Sequence, residues 1–234
     1  MRINRYLAQR GDTTRREADT LIAAGKVFIN GRRAELGDQV TDADTVEIRH
    51  GRGPKKERVY FAYNKQKGVV THSHQEEDDT DILELMKADP RMKDVFPVGR
   101  LDKDSYGLII LTNDGRITDR LLNPDRAHEK EYVVRVREKM RPSFKEHMEK
   151  GVDIEGYVTK PAKVRILGEL SFSIVLTEGK KHQIRRMVVA LHNETKELKR
   201  VRIMNIKLGG LPTGAFRPIE GAELTEFLTR LGLA

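Results

Sequence analysis

Apolar positions in the first fifty residues recur at helical spacing and then at strand spacing. Ile3, Tyr6, Leu7 and Arg10 lie on one face of a predicted helix that Gly11 ends. Thr14-Arg15-Arg16-Glu17 reads as a capping box, with Ala18, Leu21 and Ile22 as the apolar stripe behind it and Gly25 suited to the left-handed stop. Val27-Phe28-Ile29 is a strand, Asn30-Gly31 a hairpin turn, and Thr45–Arg49 a further strand. About ten apolar side chains make a marginal core, so residues 1–49 read as an appended binding unit. Residues 50–58, with two glycines, a proline and no apolar residue, read as a linker.

From residue 59 to 234 the pattern alternates irregularly. Val59–Tyr63, Leu108–Thr112, Tyr132–Val136, Ala162–Leu167, Phe172–Thr177 and Leu198–Met204 read as strands. Asp81–Lys87, Arg116–Leu122, Arg141–Lys150, His182–Leu191 and Ala222–Leu231 read as helices. The order does not give regular strand–helix–strand repetition. It predicts an α+β fold, a mixed and mainly antiparallel sheet flanked by helices, behind a small N-terminal α/β module.

Charge changes the picture. The 234 residues carry a net charge of +8, with 34% charged residues and no cysteine. A pI near 9.6 points to a polyanionic partner. Residues 1–33 hold eight Lys/Arg against three Asp/Glu, and residues 179–207 hold nine against two. Two basic blocks in an otherwise near-neutral chain form a footprint for phosphate. No apolar run approaches a membrane span, and no apolar signal core follows the start, so a cytoplasmic protein is expected. Without cysteine there is neither a disulfide framework nor a thiolate metal site.

Three segments carry candidate chemistry. Gly99-Arg100-Leu101-Asp102-Lys103-Asp104-Ser105-Tyr106-Gly107 is a charged loop, bracketed by glycines, at the entrance of the buried strand Leu108–Leu111. A loop aspartate by itself more often turns the chain than catalyses. Glu178-Gly179-Lys180-Lys181-His182-Gln183-Ile184-Arg185-Arg186 opens a helix with cations that run against its dipole and call for compensation. In Glu129-Lys130-Glu131-Tyr132, the tyrosine begins an alternating strand, where it is ordinarily core filler.

Together, Gly-Arg-Leu-Asp, Lys-Glu-Tyr and His-Gln-Ile-Arg resemble, in this order, the active-site motifs of the pseudouridine synthases. Asn64-Lys65-Gln66-Lys67-Gly68-Val69 resembles a further motif of that family, with Gln66 where proline is usual, a change expected to loosen the loop. Residues 1–49 resemble an S4-type RNA-binding module. Gly99–Asn113, His128–Tyr132 and Arg202–Asn205 are most similar to the group acting on large-subunit ribosomal RNA; the small-subunit enzyme usually has Gly-Gly where Met204-Asn205 stand.

The resemblance implies isomerisation of uridine to pseudouridine in ribosomal RNA, 23S first, with 16S ribosomal RNA as the alternative and tRNA as a possible second substrate, and without cofactor or metal; nothing in the sequence demands more than a monomer. Asp102 is implied as the essential carboxylate. A dry pocket disfavours its charge, and Arg185 is implied as the guanidinium that opposes this. Tyr132 is implied to stack on the target base; as a base for the C5 proton, a phenol titrating near about 10 is poor at neutrality. Arg100 is implied to brace the space that an everted uridine leaves. Arg5, Arg15, Arg16, Arg32, Arg33 and Lys181 are expected on phosphate. A non-catalytic RNA-binding assembly factor and a hydrolase are the rivals, but Gly-x-Ser-x-Gly and His-Glu-x-x-His are missing. His72 and His74 beside Gln75–Asp79 have metal-ligand character, although such an acidic run is usually a solvated loop.

Overall fold

A computed structural model describes residues 1–10, 13, 15–49, 57–71, 81–82, 84, 89–92 and 95–233. Several expectations lie outside them: Gly11 as a helix stop, Thr14 as a cap, linker residues 50–56, the run from His72 to Asp79, and the 81–87 helix apart from residues 81, 82 and 84.

The N-terminal segment forms α1 (Ile3–Arg10), α2 (Arg15–Ala23), β1 (Val27–Ile29), β2 (Arg32–Arg33) and β3 (Val46–Ile48). The strands make an antiparallel sheet in the order β2-β1-β3. Asn30 and Gly31 turn β1 into β2 with φ of 49° and 81°, the two left-handed positions a tight hairpin requires. After α2, Gly25 donates to the Ile22 carbonyl at 2.8 Å and Lys26 to that of Leu21 at 2.9 Å, a double closure with Gly25 left-handed. Ile3, Leu7, Ala18, Ile22, Val27, Ile29, Ala34, Val40 and Val46 form the buried core of this unit.

The larger unit comprises β4 (Tyr60–Lys65), β5 (Phe96–Val98), β6 (Tyr106–Thr112), α3 (Arg116–Leu122), β7 (Lys130–Val136), α4 (Phe144–Lys150), β8 (Lys163–Gly168), β9 (Ser171–Leu176), α5 (Gln183–Ala190), β10 (Thr195–Ile203), β11 (Ile206–Lys207), β12 (Phe216–Pro218) and α6 (Gly221–Arg230). Among the described residues its sheet runs β12-β4-β6-β10-β7-β9-β8, with β5 on β6 and β11 on β10. The β6–β10 contact is parallel and the other pairings are antiparallel, which is the expected mixed, mainly antiparallel α+β fold.

The apolar run of β6 follows from its place. Leu108 and Ile110 pack with Tyr60, Ala62, Ile117 and Phe227 on one face, while Ile109 and Leu111 pack with Phe61, Tyr63, Met92 and Val95 on the other. A strand covered on both faces loses the polar alternation of a half-exposed one. On β7 and β9, Val134, Val136, Phe172 and Ile174 face Phe144, Met148, Ile184 and Met187 from α4 and α5. Helix α4 begins at Phe144 rather than Arg141, because Pro142 disfavours helical backbone at the residue before it. Among the described residues, no helix is long and apolar enough to cross a membrane.

Candidate active site

The site is built where β6 meets β10. Gly107 has φ of 105°, and a Cβ there would stand 2.3 Å from the Arg200 carbonyl oxygen. Only glycine lets these parallel strands approach so closely. The loop entering β6 is thereby brought against β10, and Arg200 on β10 pairs with Gly107 on one side and Tyr132 of β7 on the other.

That loop is gripped by the segment leaving β4. Lys65 has no exposed surface, and its Nζ donates to the Ser105 carbonyl at 2.7 Å and to the Gln66 carbonyl at 2.9 Å. Gly68 donates its N–H to the Lys103 carbonyl at 2.8 Å. Thr71 closes a reciprocal pair with Leu101, hydroxyl to carbonyl at 2.8 Å and N–H to hydroxyl at 3.0 Å. The Ser105 N–H donates to the Asp102 carbonyl at 2.9 Å, so residues 102–105 form a closed turn. Residues 65–71 thus fix the backbone on which Asp102 stands. Gln66, where proline is usual, is itself engaged: its Oε1 accepts from the Tyr63 hydroxyl at 2.5 Å, and its side chain lies against Gly214.

The Asp102 side chain is itself held lightly. It is 39% exposed, and its nearest ion partner is His182 Nε2 at 3.7 Å from Oδ1. Lys65 lies behind it; burial pushes the Lys65 ammonium down to about 8, partly opposed by the Asp102 carboxylate. Arg200 is buried, donating Nε to the Leu108 carbonyl at 2.7 Å and Nη1 to the Arg100 carbonyl at 3.5 Å; its Nη2 has no partner among the described residues. Neither buried cation was singled out from the sequence. Lys65 sits inside the Asn64–Val69 motif, and Arg200 lies within the Leu198–Met204 strand with nothing local to mark it.

The expected pairing of Asp102 with Arg185 is not formed. Arg185 Nη2 points instead to the Asp104 carbonyl and the Ser105 hydroxyl, each at 3.4 Å. The reason is local geometry. His182 adopts a left-handed backbone, φ 51°, immediately before α5, and its Nε2 comes to 3.7 Å from Asp102 Oδ1. Arg185 lies one turn further and meets the loop backbone. A carboxylate this exposed is hydrated and does not require a guanidinium. The compensation that the cations before α5 called for is present, however: Asp102 stands at the helix start, and Glu178 is buried beneath it.

Tyr132 is half-buried on β7, packed against the core under α5 and in register with Arg200. Arg100 and Lys181 are exposed on the two segments that meet at Asp102. Arg5, Arg15 and Arg16 are exposed on α1 and α2, remote in sequence from that pocket. Arg32 and Arg33 are exposed but engaged: Arg32 with Asp38 at 2.8 Å, Arg33 with the carbonyls of Gly25 at 3.2 Å and Ala24 at 3.4 Å.

Comparison with known proteins identifies the family and the fold. The RNA pseudouridylate synthase family model matches residues 59–190, and the S4 domain model matches residues 1–46. The chain is 41% identical over 229 residues to the dual-specificity RNA pseudouridine synthase RluF of Escherichia coli K12, covering 97% of this chain and 78% of that protein. It is 33% identical over 230 residues to the ribosomal large subunit pseudouridine synthase B of Bacillus subtilis, covering 95% and 93%. A crystal structure of a pseudouridylate synthase superposes with a TM-score of 0.71 at 28% identity, covering 99% of both chains. The chain therefore belongs to the RNA pseudouridylate synthase family, as an RNA-binding isomerase with an S4 domain at its N-terminal end.

Proposed function

We propose that this enzyme converts one uridine of large-subunit ribosomal RNA to pseudouridine, with Asp102 as the essential carboxylate. The observation that carries the reading is the Asp102 turn: its backbone is gripped through Lys65, Gly68 and Thr71 while its carboxylate is left open beside His182. Rigid support under a lightly held reactive group is what a reaction centre needs.

The reaction breaks the C1′–N1 bond, turns the uracil and rejoins it through C5. Asp102 acts at the sugar, as nucleophile at C1′ or as base at C2′. Tyr132 supplies the face on which the everted base stacks, and Arg100 braces the vacated stack. Arg185 steadies the Asp104–Ser105 backbone in the free enzyme and becomes available to Asp102 when RNA shields the pocket from water.

The chain is organised as an S4-like unit at 1–49, a linker at 50–58 and a catalytic domain at 59–234. The separate sheets and cores support this division. Arg5, Arg15, Arg16, Arg32, Arg33 and Lys181 contact phosphate, and the enzyme works in the cytoplasm as a monomer. The large-subunit target rests on relatedness to the Bacillus subtilis synthase of that name and on Met204-Asn205.

The test is conversion of purified 23S and 16S transcripts, mapped by pseudouridine-specific reverse-transcription stops. A single site in 23S RNA is expected. Modification confined to 16S RNA would overturn the target. Salt-sensitive binding to both RNAs, with no pseudouridine in cells or in vitro, would favour the assembly-factor reading.

A further inference from the structure

We infer that Arg126 and Lys130 form a subsite for one phosphodiester of the RNA strand beside the target uridine, with buried Arg200 behind it. The inference rests on the reading of the Asp102 pocket given above and gives that pocket a second, charged contact with RNA.

The first observation is placement. Lys130 lies two residues before Tyr132 on β7, so the two side chains leave the same face of the sheet, about 7 Å apart. The end of α3 comes against the loop that carries Asp102: a Cβ on Gly99 would stand 3.0 Å from Leu122 Cδ2. Arg200 joins the two sides. Its Nη1 donates to the Arg100 carbonyl at 3.5 Å, and it pairs with Tyr132 by strand register. The turn that leads into β7 is built by its own bonds. Asn123 Oδ1 accepts the Asp125 N–H at 3.0 Å, and Ala127, at φ 51°, donates to the Pro124 carbonyl at 3.3 Å. This turn leaves Arg126 exposed, and His128 and Lys130 half-buried.

The second observation is charge without a counter-ion. Lys130 Nζ makes one long contact, 3.5 Å to the His128 carbonyl, and no ion pair among the described residues. Burial lowers the affinity of Lys130 for its proton, and the Arg200 guanidinium lowers it further. His128 is affected alike. Burial first, then the Lys130 and Arg126 charges, push its imidazole below the ordinary value, with the Arg120 carbonyl opposing. Arg200 Nη2 is buried and has no hydrogen-bond partner among the described residues. The carboxylates nearest in the chain are committed elsewhere or solvated: Glu129 and Glu131 bind Lys163 and Arg202, and Asp125 is exposed. Half-buried cations that repel one another make a corner that a bound anion would relieve.

The third argument is what RNA can offer. Uracil and ribose are neutral, and the phosphodiester is the charged group of the strand. Its free oxygens accept from an ammonium and a guanidinium at once. A nucleotide whose base stacks on Tyr132 carries a phosphodiester on each side, and Lys130 is the cation one step along the strand from that ring.

The test is binding of a synthetic RNA hairpin that contains the modified uridine, read by fluorescence anisotropy. The phosphates flanking that uridine are replaced one at a time by uncharged methylphosphonate. Lys130→Met should weaken binding of the unmodified hairpin by about 10- to 100-fold. The slope of log Kd against log salt should fall by about 1. One methylphosphonate should weaken wild type by a similar factor, and Lys130→Met by less than about threefold. Arg126→Gln, a change at an exposed residue, should lose part of the sensitivity to that same methylphosphonate. The denaturant midpoint of Lys130→Met should equal or exceed that of wild type, because the charge removed is half-buried without a counter-ion. A midpoint below wild type would place Lys130 in the fold instead. Wild-type affinity in Lys130→Met, or the same methylphosphonate penalty in both proteins, would overturn the inference. Binding is read without turnover, so the result is independent of the Asp102 assignment, which turnover of Asp102→Asn decides.

Discussion

Two aspartates flank strand β6, and their surroundings differ in almost every respect. Asp114, beyond the end of the strand, has a side chain only 1% exposed. It accepts the Tyr60 hydroxyl at 2.6 Å and a two-pronged Arg116 guanidinium at 2.8 and 2.6 Å. Asp102, before the strand, is 39% exposed and has a single ion partner at 3.7 Å among the described residues. Burial alone would raise the Asp114 carboxyl, but Arg116 and Tyr60 outweigh it and hold the group below its ordinary value. The lone pairs of Asp114 are committed to the fold: they tie the start of α3 to β4, next to where Asn113 grips the incoming chain at Glu57 and Val59. Those of Asp102 are available. A carboxylate with every bond made is a structural part, whereas one held on a rigid backbone with its oxygens open is placed for chemistry.

The two sites should therefore fail in different ways. The largest effect is expected from Asp102→Asn: turnover should fall by on the order of 1,000-fold or more, with urea stability within about 0.5 kcal/mol of wild type. Comparable losses of both would erase the contrast. Asp114→Ala should do the reverse. Leaving Arg116 and Tyr60 unpartnered in a buried site should cost about 3–5 kcal/mol of stability, while the folded fraction keeps near-normal single-turnover rates. Because the folded Asp114 is held below its ordinary value, its contribution is present above the carboxylate range and is lost as pH falls through the folded value. Wild type should therefore lose more stability on acidification than Asp114→Asn does.

Lys65 gives the next largest effect. Its ammonium, pushed down from 10.5 to about 8, binds its proton less tightly in the folded protein than in the unfolded one. Stability should rise by roughly 3 kcal/mol as pH climbs from the folded to the unfolded value. Lys65→Met, followed by denaturant melts over that range, should flatten the rise. An unchanged pH profile would mean that Lys65 is not the charge behind Asp102. The smallest effect concerns Tyr132. On the proposed stacking role, Tyr132→Phe should keep kcat/KM within about threefold. Tyr132→Ala should lose roughly 10- to 100-fold, the worth of one base–aromatic stack.

What the sequence made legible follows from strand and helix length. The Leu108–Leu111 run and the Arg116–Leu122 helix are strong periodic signals, and both elements stand where the pattern puts them. Strands β2, β5, β11 and β12 span two or three residues each and contain proline or at most one apolar residue, so nothing local marks them, and they form along the edge of a neighbouring strand. The candidate site divides in the same way. Asp102, Tyr132 and Arg185 stand in local motifs legible in the sequence, and strand pairing and loop contacts bring their segments together. Arg200 was invisible because its meaning depends on Gly107, a neighbour across a parallel pairing that no local pattern encodes. His182 was seen as one cation among several; its left-handed backbone, beside the Gln183 side chain that donates to buried Glu178, is not marked by any local pattern.

The most direct test of the account is a structure of the enzyme bound to its target RNA with 5-fluorouridine at the modified position. The account predicts an everted nucleotide whose sugar lies against the Asp102 carboxylate and whose base lies on the Tyr132 ring. A target nucleotide bound with its sugar away from Asp102, or still stacked within the RNA while product forms, would contradict it.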